Sequence, residues 1–236
     1  MHEAQMHKEN SFVTLTYDNE HLPRNGGLQI EDFQRFCRKL RKAKGKFRYF
    51  HCGEYGDEND RPHYHAIIFG LDFSEERQLL KRTRNGPLYV APTLFRAWNK
   101  GFHTIGACEY HTAMYVSKYI MKKLTGEEGQ KAYVNAKTGE ALRPPYISMS
   151  RRPGLGSKWL EKYKSDVYPE DVVHLEGKKF RPPRFYDERI GEEELAAMKR
   201  KRLSAVAKRK EDLDPARLRD LETIQVKKQE IYKRNL

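Results

Sequence analysis

The chain has 236 residues, enough to bury one sizeable core and carry an appended segment. Its residues are 33% charged and its mean hydropathy is −0.91, yet 11% aromatics exclude wholesale disorder. Lysine and arginine number 46 against 33 acids, a net charge of +13 that points to a polyanionic partner, most commonly nucleic acid.

From Glu188 onward there are 14 basic and 10 acidic residues, which leaves 32 and 23 in the first 187. The surplus therefore belongs mainly to the body of the protein, although a merely soluble basic surface gives the same balance. Cys37, Cys52 and Cys108 are odd in number, widely spaced and without a C-x-x-C pair. That suits free thiols in a reducing cytoplasm and excludes a cysteine-based zinc site. The N-terminus has no apolar run and no eighteen consecutive residues are apolar, so neither a signal peptide nor a membrane span is expected.

In chain order, Ser11–Tyr17 reads as a strand and Asp18–Gly27 as a loop punctuated by Asn25, Gly26 and Gly27. Leu28–Lys44 has helical spacing, with Ile30, Phe33, Phe36, Cys37 and Leu40 in one stripe. Phe47–Glu54 is a second strand, and an acidic, glycine-containing turn over Tyr55–Asp60 leads into a third across Arg61–Gly70. Ser74–Arg84 is polar and reads as a helix, and Pro92–Lys100 as a short helix ending at Gly101. A strand follows over Phe102–Cys108, then a helix over His111–Leu124 closed by Gly126, then a short strand at Tyr146–Met149.

This order predicts an α+β fold. It is a split β-α-β, RRM-like arrangement with a mainly antiparallel sheet and helices packed to one side. Beyond Asp187 the composition shifts. Glu188–Lys210 reads as a charged helix with a thin stripe of Leu195, Met198, Leu203 and Val206, and Asp214-Pro215 as the cap and first turn of another. The expected domains are thus 1–187 and a helical C-terminal extension over 188–236. No internal repeat is visible.

The third strand carries His63 and His65, whose spacing puts both imidazoles on one face and Tyr64 on the other. A packed, hydrogen-bonded pair has the same spacing. If Phe47–Glu54 and His63–Gly70 form a hairpin, the simplest register sets Glu54 opposite His63, where Cβ atoms lie about 5 Å apart. Two imidazoles and a carboxylate suit Mn²⁺, less comfortably Mg²⁺, and Zn²⁺ is chemically possible. As the bland alternative, Glu54 is a turn residue like Asp57 and Glu58.

On the His111–Leu124 helix, Tyr115 and Tyr119 are four apart and share a face with Lys118 and Lys122 beside them. Ala113, Val116, Ile120 and Leu124 gather on a separate, apolar face. Tyrosines at this spacing are usually packing residues, but the interleaved lysines argue otherwise here. A phenol is protonated at neutral pH and attacks phosphate only with a cation or base nearby.

Phe12-Val-Thr-Leu-Thr-Tyr17, then Gly53-Glu-Tyr-Gly56 with Arg61-Pro-His-Tyr-His65, then Tyr115-Val-Ser-Lys-Tyr119 resemble, in order, the three motifs of HUH-superfamily rolling-circle replication initiators. The chain is most similar to the initiators of microviruses, especially the gokushovirus-like group, over roughly Ser11–Leu160. The resemblance implies that Glu54, His63 and His65 hold a divalent Mn²⁺ or Mg²⁺ and that Tyr115 and Tyr119 are paired nucleophiles. It implies that Lys118 contacts the phosphate or helps position the metal. That group often carries a cysteine-rich segment ahead of the first motif. This chain opens at Met1-His2-Glu3, so a shorter form or a truncated one is expected.

The implied activity is site-specific nicking and joining of single-stranded DNA through a 5′-phosphotyrosine, freeing a 3′-OH to prime a polymerase. The substrate would be a single-stranded DNA origin in the host cell cytoplasm. The chain has no Walker-type phosphate loop, so helicase and polymerase would come separately from the host. Lys122, Arg151 and Arg152, the last two beside Pro153-Gly-Leu-Gly156, are candidate DNA contacts, and Lys81, Arg82 and Arg84 form another basic loop. Ordinary solvated charge is the alternative for each. Two rival functions remain: a metal-dependent hydrolase or oxygenase without tyrosine chemistry, and a non-catalytic nucleic-acid-binding module.

Overall fold

The computed structural model describes residues 1–56, 60–121, 133–135, 138–208 and 214–234, with the side chains of 118–121 and 229–234 outside that description. It divides the described chain into two compact units, Met1–Lys162 and Tyr163–Leu236. The composition shift near Asp187 therefore lies inside the second unit.

The first unit is built on a seven-stranded sheet. Its strands are β1 (Asn10–Tyr17), β2 (Arg48–Tyr55), β3 (Pro62–Phe69), β4 (Gln78–Thr83), β5 (Gly86–Val90), β6 (Gly101–Ala107) and β7 (Tyr146–Met149). They run in the spatial order β4-β5-β6-β1-β3-β2-β7, and each neighbouring pair is antiparallel. Helices α1 (His2–Gln5), α2 (Ile30–Lys44), α3 (Pro92–Trp98) and α4 (Tyr110–Met121) complete this unit, together with the start of α5 (Ser157–Val167). The α+β class, the antiparallel sheet and most expected elements match the sequence reading.

Strand alternation decides what each face of the sheet does. On β1, Val13, Leu15 and Tyr17 are fully buried, and Val13 and Leu15 meet Ala66 and Tyr64 of β3 in register. With Phe33, Phe36 and Leu40 of α2 and Leu94 and Trp98 of α3 they form the main core. Polar tips in this core find partners: the Tyr17 hydroxyl donates to Asp32 Oδ2 at 2.7 Å, and Tyr64 donates to the Gln29 carbonyl at 2.8 Å. The intervening residues Phe12, Thr14 and Thr16 face the other way. There α4 lies across β2, β3 and β7, and Val116 packs with Cys52, Ile67 and Phe69. So α2 and α3 cover one side and α4 the other.

One expected element is corrected. Ser74–Arg84 is not helical: Gln78–Thr83 is β4, which turns through Arg84 and Asn85 into β5, with Gly86 at φ +109°. Asn-Gly is a hairpin signal, and β5 then pairs Tyr89 with Ile105 of β6. Every residue of β4 is exposed, so it has no buried face to impose an apolar period. The elements α1 and α5 also went unanticipated.

Gly101 opens β6 at φ +134°, and a Cβ there would sit 2.2 Å from the Asp18 backbone nitrogen. That nitrogen donates to the Lys100 carbonyl at 3.0 Å, so the clash would fall on a bonded crossing of two chain segments. Gly101→Ala is expected to cost about 2–3 kcal/mol, measured by urea unfolding. An unchanged midpoint would contradict the close approach.

The second unit contains the rest of α5, a hairpin β8 (Val173–Leu175) and β9 (Lys178–Phe180), and helices α6 (Arg184–Asp187), α7 (Glu192–Ala207) and α8 (Pro215–Arg234). The expected cap of α8 is present: Asp214 Oδ2 accepts from the Ala216 and Arg217 backbone N–H groups at 3.0 and 3.2 Å. Arg202 on α7 donates to Asp171 and Asp187, and Tyr168 donates to Asp187 Oδ1 at 2.8 Å. The Arg202 hydrogen bonds hold the Asp187 carboxyl below its ordinary value, against burial. A depressed carboxyl pKa contributes stability above the unfolded value of about 3.9 that is lost as pH falls through the folded value. Acid unfolding of this unit below about pH 4 should therefore lose its Asp187 component in Arg202→Ala, read by circular dichroism. No described helix of the chain is long and apolar enough to cross a membrane.

Candidate functional site

The site grows from the β2–β3 hairpin. Glu54 is paired directly with His63, and Cys52 with His65. Between the histidines, Tyr64 is anchored in the core through its hydroxyl, so His63 and His65 are turned to the opposite face. Glu54 is 2% exposed on that same face.

One donor atom from each of Glu54, His63 and His65 lies within 4.8 Å of the others. The Nε2 atoms of both histidines converge on Glu54 Oε1, at 3.0 Å from His63 and 2.7 Å from His65. Second partners orient both rings. The Arg61 carbonyl lies 3.0 Å from His63 Nδ1, and Thr14 Oγ1 lies 2.9 Å from His65 Nδ1. A carbonyl only accepts, so His63 donates from Nδ1 and, when neutral, aims the Nε2 lone pair at Glu54 Oε1. Two electron-rich atoms at that distance call for a cation beside them.

The electrostatics agree with a cation site. Burial pushes the Glu54 carboxyl up, but hydrogen bonds from His63 and His65 outweigh it and the net shift is downward. Burial holds His65 below its ordinary value, against the pull of Glu54. Glu54 Oε2 is buried with no hydrogen-bond partner among the described residues, an expensive condition for a carboxylate oxygen. A divalent ion on this oxygen and the two imidazoles would relieve it. The donor set and its outer partners thus fit a metal.

Helix α4 brings in the phenol. Val116 is fully buried under the sheet's second face, which fixes the rotation of the helix. Tyr115, one residue before, reaches Glu54 Oε1 with its hydroxyl at 3.4 Å. Its ring meets His65 edge-on, with centroids 5.0 Å apart at 90°. Metal ligands and phenol thus come together from three elements. The side chains of Lys118 and Tyr119 on the last turn of α4, and Lys122 altogether, lie outside the described residues.

Arg151 and Arg152 are exposed and lie elsewhere. Ser150 is bonded to Tyr49, through its nitrogen and through Oγ, near the start of β2. Five residues of strand separate Tyr49 from Glu54, about 17 Å at the rise of a β-strand. Lys81 and Arg82 sit on the exposed strand β4 rather than in a loop, and Arg84 is in its turn. Thr14 was missed by sequence reasoning, as was Phe12, whose ring stacks on His65 at 5.5 Å. Their signal was available: Phe12, Thr14 and Thr16 alternate with the core residues of β1.

Residues 10–124 match the family model described as replication-associated protein ORF2. Replication-associated protein ORF2 of Spiroplasma virus 4 is 34% identical over 199 residues, 79% of this chain and 59% of that protein. Replication-associated protein VP4 of Bdellovibrio phage phiMH2K is 30% identical over 198 residues, with the same shares. Replication-associated protein ORF4 of Chlamydia phage 1 is 33% identical over 130 residues, 51% of this chain and 32% of its own length. The chain thus spans no more than about three fifths of these relatives. No solved structure matches it.

Proposed function

We propose that this chain, which belongs to the replication-associated protein ORF2 family, nicks and rejoins single-stranded DNA through a covalent phosphotyrosine to start and end rolling-circle replication. The observation that carries this reading is the Tyr115 hydroxyl at 3.4 Å from the carboxylate that both site histidines share. A hydrolase needing only its metal has no use for a phenol there.

Glu54, His63 and His65 would hold the divalent ion, Mn²⁺ or Mg²⁺. When bound, the ion would supply Lewis acidity toward a phosphate oxygen. The Tyr115 oxygen attacks the scissile phosphorus, the P–O3′ bond breaks, and a 3′-OH is released while the 5′ phosphate stays on the tyrosine. The Tyr115 O–H faces Glu54 Oε1, which offers its proton an acceptor. Thr14 and the Arg61 carbonyl keep His65 and His63 in fixed orientation. The energy of the broken ester is kept in the protein–DNA bond, so rejoining requires no nucleotide hydrolysis.

Tyr119, one helical turn beyond Tyr115, would attack in the second transfer, and Lys118 would meet the phosphate. Lys122, Arg151 and Arg152 would hold flanking DNA backbone, Arg151 and Arg152 at a distance from the scissile bond. The substrate would be a single-stranded viral origin in the host cell, with helicase and polymerase supplied by the host.

The test incubates the full chain with single-stranded oligonucleotides and Mn²⁺, then separates the products under denaturing conditions. A slow-migrating protein–DNA species that needs the metal, together with a fragment ending in 3′-OH, is expected. Cleavage with no covalent species would support the hydrolase, and binding with neither would support a passive DNA-binding module.

A further inference from the structure

Four residues form a row across the sheet at the site. Phe102 on β6 is the cross-strand partner of Thr16 on β1, Thr16 of His63 on β3, and His63 of Glu54 on β2. Partners in register project from the same face. The alternation on β6 agrees, since the neighbouring His103 and Ile105 are buried on the core side. Phe102 therefore stands on the face that carries the histidines, two strand spacings or about 10 Å from His63.

It stands in the open, 69% exposed, while the other rings of that face, Phe12 and Tyr115, pack against His65. Beside it lies a cleft of roughly 560 Å³ lined by Thr16, Asp18, Asn19, Glu20 and Arg61, with Tyr17. The Arg61 guanidinium is fixed there by the Tyr17 carbonyl at 2.9 Å and Asn19 Oδ1 at 2.6 Å. A single exposed ring on a polar cleft is a poor protein-docking surface, which needs a contiguous apolar patch. It is a good seat for a nucleobase. The ring takes the π-face, and the carboxylates, which would repel a phosphate, accept from exocyclic amino groups on the base edge.

We propose that Phe102 is a stacking platform for the base next to the scissile phosphate, with the cleft between Thr16 and Arg61 receiving that base's edge. This rests on the nicking function proposed above. It adds a base-contacting subsite on the far side of β1 from the metal ligands.

The probes are an oligothymidine and an abasic sugar–phosphate strand of equal length, bound by the full chain and followed by fluorescence anisotropy. Stacking on one aromatic is worth about 5- to 150-fold in affinity. Phe102→Ala should lose that factor toward oligothymidine and nothing toward the abasic strand. Phe102→Trp should retain affinity, and its indole emission should be quenched by oligothymidine. Phe95→Ala removes an equally open ring (60% exposed) from α3, on the sheet's other side, and should change neither. Thermal melting of Phe102→Ala at the wild-type midpoint shows the fold intact.

Equal losses on both strands, or none on either, overturn the subsite. If wild type forms the adduct yet Phe102→Ala binds oligothymidine normally, only this inference fails. If wild type binds neither strand, the nicking function fails with it.

Discussion

Tyr115→Phe is expected to lower formation of the covalent protein–DNA species by about 10⁴-fold or more, the scale on which a lost nucleophile acts. The substitution removes one oxygen from a partly buried ring. Its hydrogen bond to Glu54, at 3.4 Å, is long and worth little to stability. The variant should therefore melt within about 1 kcal/mol of wild type. The ring itself remains, and so does its edge contact with His65. DNA affinity and Mn²⁺ affinity should then be close to wild type, which isolates the chemical step. Tyr119→Phe should behave differently: first-strand nicking persists and transfer to a second strand fails. If Tyr115→Phe forms the adduct at an undiminished rate while Tyr119→Phe does not, the two tyrosines have exchanged roles. If the double variant cleaves at full rate, tyrosine chemistry is absent and the metal acts alone.

The parts of this site that were legible in the sequence share one property: they follow from local periodicity. Two histidines separated by one residue must share a face of a strand, and Glu54 meets His63 because a hairpin fixes both registers at once. Tyr115 was legible as standing off the helix's apolar side, since Val116 had to be buried. What periodicity leaves open is which side of a sheet a later helix covers. That is settled by long-range packing, here by Cys52, Ile67 and Phe69, which have room for Val116 only on the histidine face. Thr14 and Phe102 escaped for the same reason, because each acts through partners on other strands. The β4–β5 hairpin escaped for a different one. With every residue of β4 in solvent, pairing rather than burial selects its conformation, and its sequence reads as polar helix.

Adding Mn²⁺ should stabilise the wild-type chain, and Glu54→Gln should abolish most of that gain. An ion that binds only the folded state contributes about 2.7 kcal/mol at a hundred times its dissociation constant, read as a rise in the thermal midpoint. Glutamine keeps the size of the side chain and removes its charge, the one negative group in the cluster of Glu54, His63 and His65. Adduct formation should fall with it, by at least about 10²-fold. The pH dependence carries a sign. A ligand histidine must lose its proton to bind, and burial holds His65 below the ordinary value of about 6.5. His65 is therefore already neutral at mildly acidic pH, and the Mn²⁺ gain should survive there, to disappear only as pH falls through that lowered value. In Glu54→Gln the loss of the carboxylate also removes the pull that opposes burial, so the proton leaves His65 more readily still. A variant that keeps the wild-type Mn²⁺ shift would mean the ion sits elsewhere on the chain, and an ion elsewhere cannot serve an ester that Tyr115 attacks.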